Sequence, residues 1–286
     1  MIFFELFIQG LIQGSIYALI AVGLTLVYGL LRILHVAHAG LFTLGGYLGV
    51  VITNATGSLP LAMVVSMVAV GLVGMAIYLL VYKPILNQPP YVPLIASIGL
   101  FIAMEEIFRL VFGEQGLSFD HPPLEGTLAL LGMQIKVTQL ITFFSAIILI
   151  SFLGLLAART RMGVAWRATV TVPEMAESFG IDIQKVRLTN FFVGSALAAV
   201  AGVMVAVDNN LIEPTSGAVP SYKALAIIVL GGLGSMRGTL IACFALGVIE
   251  SYGTIYLGQL MDRDAIAFAF LIIVLMARPQ GLFARS

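Results

Sequence analysis

The histidines, lysines and cysteine of this 286-residue chain lack the spacing that enzymatic chemistry requires. His35, His38 and His121 have no carboxylates placed to complete a metal site, and there is no His-Glu-x-x-His run. No lysine follows a glycine, so the Gly-x-x-x-x-Gly-Lys loop that binds nucleotide phosphates is absent. Cys243 is the single cysteine. We therefore predict no catalytic residue, no metal site, no cofactor in this chain and no ATP hydrolysis by it.

A group of polar side chains interrupts the first apolar part of the sequence. Arg32, His35 and His38 are three residues apart, which would place them broadly on one helical face. A charge at a helix centre in the bilayer costs about 2.5–3.5 kcal/mol, so these residues either form a turn at the inner surface or line a wet cavity. Gly45 and Gly46 follow, and glycines allow close helix approach and breaks. The alternatives are a plain turn and a discontinuous second helix beside a translocation path.

Glu105 and Arg109 are one helical turn apart in a later apolar run. They can pair along the same helix, which lowers the cost of inserting both charges. The neighbouring Glu106 faces elsewhere and has no evident partner. The pair is either structural, near the outer rim of the membrane, or faces a substrate with charged ends, such as an amino acid.

A third candidate for a transport path is rich in glycine. The short apolar run 224–230 is too brief to cross a bilayer and precedes Gly231, Gly232 and Gly234. Irregular backbone is tolerated at membrane depth where it is buried in protein or lines a cavity. We therefore expect a re-entrant half-helix here, the alternative being an ordinary inside loop that holds Arg237.

The composition determines the kind of elements that must position these residues. Hydrophobic residues make up 60% of the chain, charged residues only 10%, and the mean hydropathy is +1.08. Soluble domains carry roughly a quarter charged residues, so this is an integral membrane protein. The runs are long enough for helices and lack the alternation of a membrane β-barrel. The net charge is zero, which gives nucleic-acid binding no electrostatic support.

The predicted fold is all-α, with about eight transmembrane helices plus the short re-entrant half-helix in a single domain over residues 1–286. The prolines fall outside the apolar runs, except Pro93, which opens one. The first run follows a poor signal peptide and should be retained as a span. The eight runs are 6–30, 39–55, 61–82, 93–112, 137–157, 189–207, 238–258 and 264–278.

Basic residues near the span ends predict the orientation. Arg159, Arg161, Arg167, Lys185 and Arg187 place the interval 159–187 in the cytoplasm. The C-terminus, with its two arginines, should also be inside. The segment 113–136 has three carboxylates and only one lysine, and 208–220 has no lysine or arginine, so both belong outside. Counting back from an inner Lys83 through the first three spans puts the short N-terminus outside, although an even number of spans would leave both termini on one side.

The interval 159–187 also carries the signature of a short helix. Pro173 suits a first turn, Glu174 suits the positive end of a helix dipole, and Gly180 stands where a left-handed cap would end the helix. Small residues would let another protein approach closely. The alternative is a basic loop that only determines topology. The small residues are Gly163, Ala165, Ala168 and Ala176.

Four stretches of this chain together resemble the permeases of the branched-chain amino-acid ABC transporter family, the Liv type. They are residues 162–168 with 174–176 and 180–181, residues 23–32 running into 38–40, residues 228–235, and residues 278–283. Because they occur in order over the whole length, the resemblance is specific. His35 stands where that family commonly has Asn, and residues 170–173 replace a more polar linker.

The resemblance implies a permease subunit of an importer for branched-chain or other small hydrophobic amino acids in the bacterial cytoplasmic (inner) membrane. The expected partners are a second permease, homologous or identical, two cytoplasmic ATPases that bind ATP and Mg, and an external solute-binding protein. Urea or short-amide transport by the same family, or an ion-coupled secondary transporter, are the alternatives. The resemblance makes 163–181 the ATPase-coupling element, with Gly163, Ala165, Arg167, Ala168, Glu174, Ala176, Gly180 and Ile181 as its residues.

Overall fold

The computed structural model describes residues 2–124, 126–130 and 133–278 and is helical over most of them. Part of the C-terminal motif, 279–283, and the predicted outer residue Glu125 lie outside the described residues. The helices are α1 (Ile2–Leu31), α2 (His38–Thr56), α3 (Leu59–Ile77), α4 (Lys83–Ile85), α5 (Tyr91–Phe112), α6 (Val137–Arg159), α7 (Arg161–Thr171), α8 (Pro173–Ser178), α9 (Ile183–Asn209), α10 (Ala218–Gly231), α11 (Met236–Leu257) and α12 (Arg263–Ala277).

All eight predicted spans coincide with helices. A π turn, Tyr78–Tyr82, joins α3 to α4 without interrupting the rod. Six of the described helices are long and apolar enough to cross a bilayer: Phe3–Leu31, His38–Thr56, Leu59–Ile85, Val137–Arg159, Ile183–Asn209 and Met236–Leu257. The all-α polytopic class is thus confirmed, while the count of eight crossings stays a prediction.

A small β-hairpin within the predicted outer connection was not expected. Strand β1 (Thr127–Leu130) pairs antiparallel with β2 (Met133–Lys136), with Thr127 opposite Lys136. The strands are only four residues each, too short for alternation to stand out beside long apolar runs. The side chain of Ile135 packs on Ile12 of α1, so the hairpin covers one end of the bundle.

Helix α1 is the central element, and it is apolar on all sides because it is surrounded by other helices. It runs antiparallel to α11 along its length: a Cβ on Gly10 would lie 2.6 Å from the Val248 Cα, and the Thr25 and Thr239 hydroxyls are 3.0 Å apart. Glycine at such contacts lets the backbones approach closely, as membrane helix pairs require.

The second close contact joins α2 to α9. A Cβ on Gly45 would overlap the backbone of Ala199, and one on Gly202 would overlap the Phe42 carbonyl. A face of small residues on α9 is buried in this contact. They are Ser195, Ala198, Ala199, Ala201 and Gly202.

The helix bundle has two ends, here called the hairpin end and the α7 end, and the chain passes from the first to the second through α10. At the hairpin end, Lys136 of β2 pairs with Asp208 at the end of α9, 3.4 Å away. At the α7 end, α7 packs beside the last turn of α1, where Gly29 faces Val170. The chain leaves α9 at the hairpin end, and α11 begins at the α7 end, since Thr239 contacts Thr25.

The predicted half-helix is present as α10, but its course differs from a re-entrant one. Residues 210–231 pass from the hairpin end to the α7 end instead of returning to the face they left. The preceding loop descends first: Ile212 is fully buried against Gly46, and Gly217 packs on the backbone of Ala39. A loop whose polar groups are enclosed in protein can replace helix at this depth, which the local sequence pattern did not indicate.

Candidate functional site

The polar interval between α6 and α9 is an ordered helical unit, which we call the α7–α8 segment (Arg161–Ser178). The Thr160 hydroxyl accepts a hydrogen bond from the Gly163 N–H at 3.1 Å and so caps the N-terminus of α7. The sequence analysis did not predict this helix. A Cβ on Gly163 would overlap the backbone of Ala157, and the Arg167 guanidinium donates to the Ala157 carbonyl. These contacts fold α7 back onto the last turns of α6.

Helix α8 confirms the predicted short helix and its cap. Pro173 begins it, and Gly180 has a left-handed φ of +81°, where the Gly180 N–H donates to the Glu177 carbonyl at 2.8 Å. The Ile181 N–H donates to the Ala176 carbonyl at 3.1 Å, so this is a glycine C-cap.

The chain then enters α9 with a second side-chain cap. The Asp182 carboxylate accepts from the Lys185 N–H at 3.0 Å. This backbone hydrogen bond lowers the pKa of Asp182 below its usual value, with further help from the Lys185 side chain. Caps at Thr160, Gly180 and Asp182 therefore define the junctions of this helical unit with α6 and α9.

The small residues of the segment serve the chain itself more than an approaching partner. Gly163 and Ala176 are buried, Ala165 and Ala168 are partly buried, and the surface presents larger side chains instead. Met175 lies on the outside of α8, and Phe179, the residue directly after α8, lies one turn further along and is 82% exposed. Of the predicted coupling residues, the exposed ones are Arg167, Glu174 and Gly180, while Ile181 is partly buried.

The connection between α1 and α2 is a non-helical segment, so its polar residues do not share a helical face as predicted. Arg32 takes a left-handed φ of 53° and is exposed at the end of α1. His35 and His38 are buried in protein with their ring centroids 5.7 Å apart. His35 Nδ1 shares a 2.6 Å hydrogen bond with the Tyr82 hydroxyl, and the choice between a plain turn and a segment beside a translocation path stays a prediction.

Helix α2 begins well inside the bundle. His38 Nε2 lies 3.2 Å from the carbonyl oxygen of Ile20, eleven residues before α1 ends at Leu31. At 1.5 Å per residue this is about 16 Å from that end. The helical path is thus interrupted before α2. Gly45 and Gly46 lie further along, within the uninterrupted helix α2, where they pack against α9 and Ile212.

Gly231, which ends α10, and the following Gly232 and Gly234 form the turn into α11. Gly232 and Gly234 have φ values of +93° and +82°, which other residues rarely adopt. A Cβ on Gly231 would lie 2.5 Å from the backbone of Gly238 and Thr239, so the ends of α10 and α11 are in tight contact. The turn lies at the α7 end, beside Gly29.

Helix α5 carries its charges near the hairpin end. Arg109 lies 3.1 Å from Glu105, as predicted, and 2.6 Å from Glu106, which has a partner contrary to the sequence interpretation. The arginine fork can reach carboxylates at both i−3 and i−4 on one helix. The trio lies within the last two turns before Phe112, at the end of the helix where the predicted outer rim would be.

A buried ionic network among α1, α10, α11 and α12 was missed by the sequence analysis. Lys223 Nζ lies 2.9 Å from Glu250 Oε1 and 2.7 Å from Asp264 Oδ1, and the Tyr17 hydroxyl donates to Glu250 Oε2 at 2.6 Å. Arg263 Nε is 3.1 Å from the same oxygen. Glu250 is fully buried and Lys223 nearly so, whereas Asp264 and Arg263 are partly exposed, so the four charges balance along a line from the bundle interior to its surface.

An available signal indicated this network. Glu250 lies inside a predicted span, and Lys223 directly precedes the predicted half-helix. An ionisable residue at membrane depth calls for a partner of opposite charge. The network fastens α10 to both following helices, and therefore fixes the element that crosses the bundle in place of a full-length helix.

The architecture defines a polytopic α-helical membrane protein with a capped helical unit at one end. A family model described as branched-chain amino acid transport system / permease component matches residues 6–276. The chain belongs to this family.

Curated relatives extend over nearly the whole chain. The permease protein LivH of the high-affinity branched-chain amino acid transport system of Salmonella typhimurium is 32% identical over 99% of this chain and 96% of its own length. BraD of Pseudomonas aeruginosa, a permease protein of such a system, is 30% identical over 97% and 94%. LivM of Salmonella typhimurium, also named a permease protein, is 26% identical over 93% of this chain and 67% of its own length.

Proposed function

We propose that this chain is a permease subunit of an ATP-driven importer for branched-chain or other small hydrophobic amino acids. It works with a second permease, two ATPase subunits that bind ATP and Mg, and an external solute-binding protein. The names of relatives with nearly full-length similarity support the substrate class. Similarity to both LivH and LivM supports a second, homologous permease as the membrane partner.

The α7–α8 segment is the observation that carries the proposal of ATP coupling. It is a compact helical unit at one end of the bundle, joined covalently to α6 and α9 and fixed by caps at each junction. A rigid unit can transmit a partner's closure to two spans as a rigid-body movement. We place this end, and the C-terminus, in the cytoplasm of a bacterial inner-membrane protein.

The proposed translocation path contains the non-helical connection before α2 and the loop before α10. These two segments meet where Gly217 packs on Ala39, at the starts of both helices. Helix N-termini at membrane depth carry partial positive charge, which suits the carboxylate of an amino acid. His38 and Ser221 add buried polar atoms without partners in the described chain.

Phe179→Ala tests the coupling role of the segment. Phe179 is 82% exposed, so its loss should leave folding intact but remove an apolar anchor for the ATPase. We expect ATP-driven leucine uptake by the reconstituted complex to fall about tenfold, as for a side chain central to an interface. Initial uptake rates and ATPase co-purification measure this.

The matched control is Leu260→Ala, because Leu260 is 83% exposed in the turn between α11 and α12, away from the segment. It should keep the normal rate. Unchanged uptake and ATPase retention in Phe179→Ala would remove α8 from the proposed docking surface.

A further inference from the structure

A cleft of about 380 Å³ opens between α8, the end of the α3–α4 rod and the start of α9. Its volume is within the range of about 300–1,000 Å³ that small-molecule sites occupy. Four charged side chains line it: Glu174 and Glu177 from α8, Lys83 from α4 and Arg187 from α9. The carboxylates thus come from one wall and the cations from the others.

These charges are not neutralised by one another. None of the four takes part in an ion pair within 4.0 Å in the described part of the chain. The Nε atom of Arg187 is also buried without a hydrogen-bond partner among those residues. A buried donor left without an acceptor is costly, so Arg187 favours an anionic group in the cleft, while the exposed carboxylates of α8 can accept from a cationic one.

We propose that this cleft is a regulatory site for a free amino acid on the same side as the ATPases. The ligand's ammonium group fits the wall of Glu174 and Glu177, and its carboxylate fits Lys83 and Arg187, where an arginine can bind in the bidentate manner. A zwitterion meets both walls, whereas a simple anion or cation meets only one. The amino-acid identity rests on the proposed function; the opposite charges of the walls do not.

Occupancy of the cleft would connect α8 to the membrane helices. The ligand would bridge α8 to α4 and α9 and hold the α7–α8 segment in one position. A ligand that prefers one position of a two-state element shifts its equilibrium. Accumulated internal amino acid would therefore slow its own import.

The test uses the complete complex in proteoliposomes, loaded inside with leucine or left empty. We expect internal leucine to lower the initial rate of ATP-driven uptake about fivefold, the lower end of usual allosteric coupling. Internal isoamylamine and 4-methylpentanoate each lack one of the two charges of leucine, so neither should lower the uptake rate. Lys83→Gln and Arg187→Gln should abolish the inhibition by leucine. Lys185→Gln should retain it, because Lys185 pairs with Asp182 and does not line the cleft.

Uptake into empty vesicles reports the importer function separately, so failure of that function is distinguishable from failure of this site. Equal rates in empty and leucine-loaded vesicles would overturn the proposal. The proposal would also be overturned if Lys83→Gln and Arg187→Gln abolished uptake into empty vesicles and released the ATPases. The cleft would then be part of the surface that binds the ATPase subunits. Inhibition that persists in both variants would place the regulatory ligand elsewhere.

Discussion

Lys223→Met is expected to destabilise the protein by about 3–5 kcal/mol, the cost of breaking a buried ion pair from one side. Glu250 is fully buried and would lose its 2.9 Å contact with Lys223, and Asp264 would lose its 2.7 Å contact. Such a loss is a large part of a typical folding free energy of about 5–15 kcal/mol. The variant should show a much lower melting temperature and a smaller monodisperse fraction in detergent.

Two controls separate the buried network from charge loss in general. Lys223→Met combined with Glu250→Met removes the buried pair together and leaves Arg263 beside Asp264, so it should recover most of the lost stability. Lys185→Met breaks a pair whose lysine is 78% exposed, so it should leave the melting temperature close to that of the wild type. Wild-type stability in Lys223→Met would show that the network does not hold α10 in place.

Gly45→Leu is also expected to have a large effect, on the folding of the protein. A Cβ at Gly45 would already overlap the Ala199 backbone, so leucine would force α2 away from α9 along their closest contact. Adding one methylene to a packed core costs about 1–3 kcal/mol, and several carbons against backbone should exceed that range. We expect little correctly inserted protein, measured as the yield after size-exclusion chromatography.

Gly99→Leu is the matched control, because a Cβ on this α5 glycine meets nothing within 4 Å. It should give near-normal yield. Equal yields from the two variants would contradict the close α2–α9 contact.

The sequence predicted features that depend on local patterns. The lengths of the apolar runs and the positions of the prolines predicted eight segments, each of which is a helix in the structure. Pro173 and Gly180 predicted α8 and its C-terminal cap. These signals need only neighbouring residues. Helix α7 was missed because it is short and, on average, much less apolar than the spans, and its cap on Thr160 depends on the folded geometry.

Features that join distant parts of the chain were not accessible in the same way. Tyr17 and Glu250 are 233 residues apart, and only the antiparallel course of α1 and α11 brings them together. The path of α10 depends on a loop buried against Gly46 and Ala39, which no local period shows. The sequence drew attention to His35 and His38, but it does not show that they are buried against Tyr82 and Ile20 from distant parts of the chain.

Reconstitution of this chain with its proposed second permease and ATPases tests the central claim most directly. Uptake of labelled leucine into proteoliposomes is measured with the binding protein outside, with and without ATP inside. We predict uptake that requires ATP, both ATPases and the binding protein, and no uptake or ATP hydrolysis by this chain alone. Robust leucine uptake by this chain alone, driven by an ion gradient, would contradict the proposed importer function.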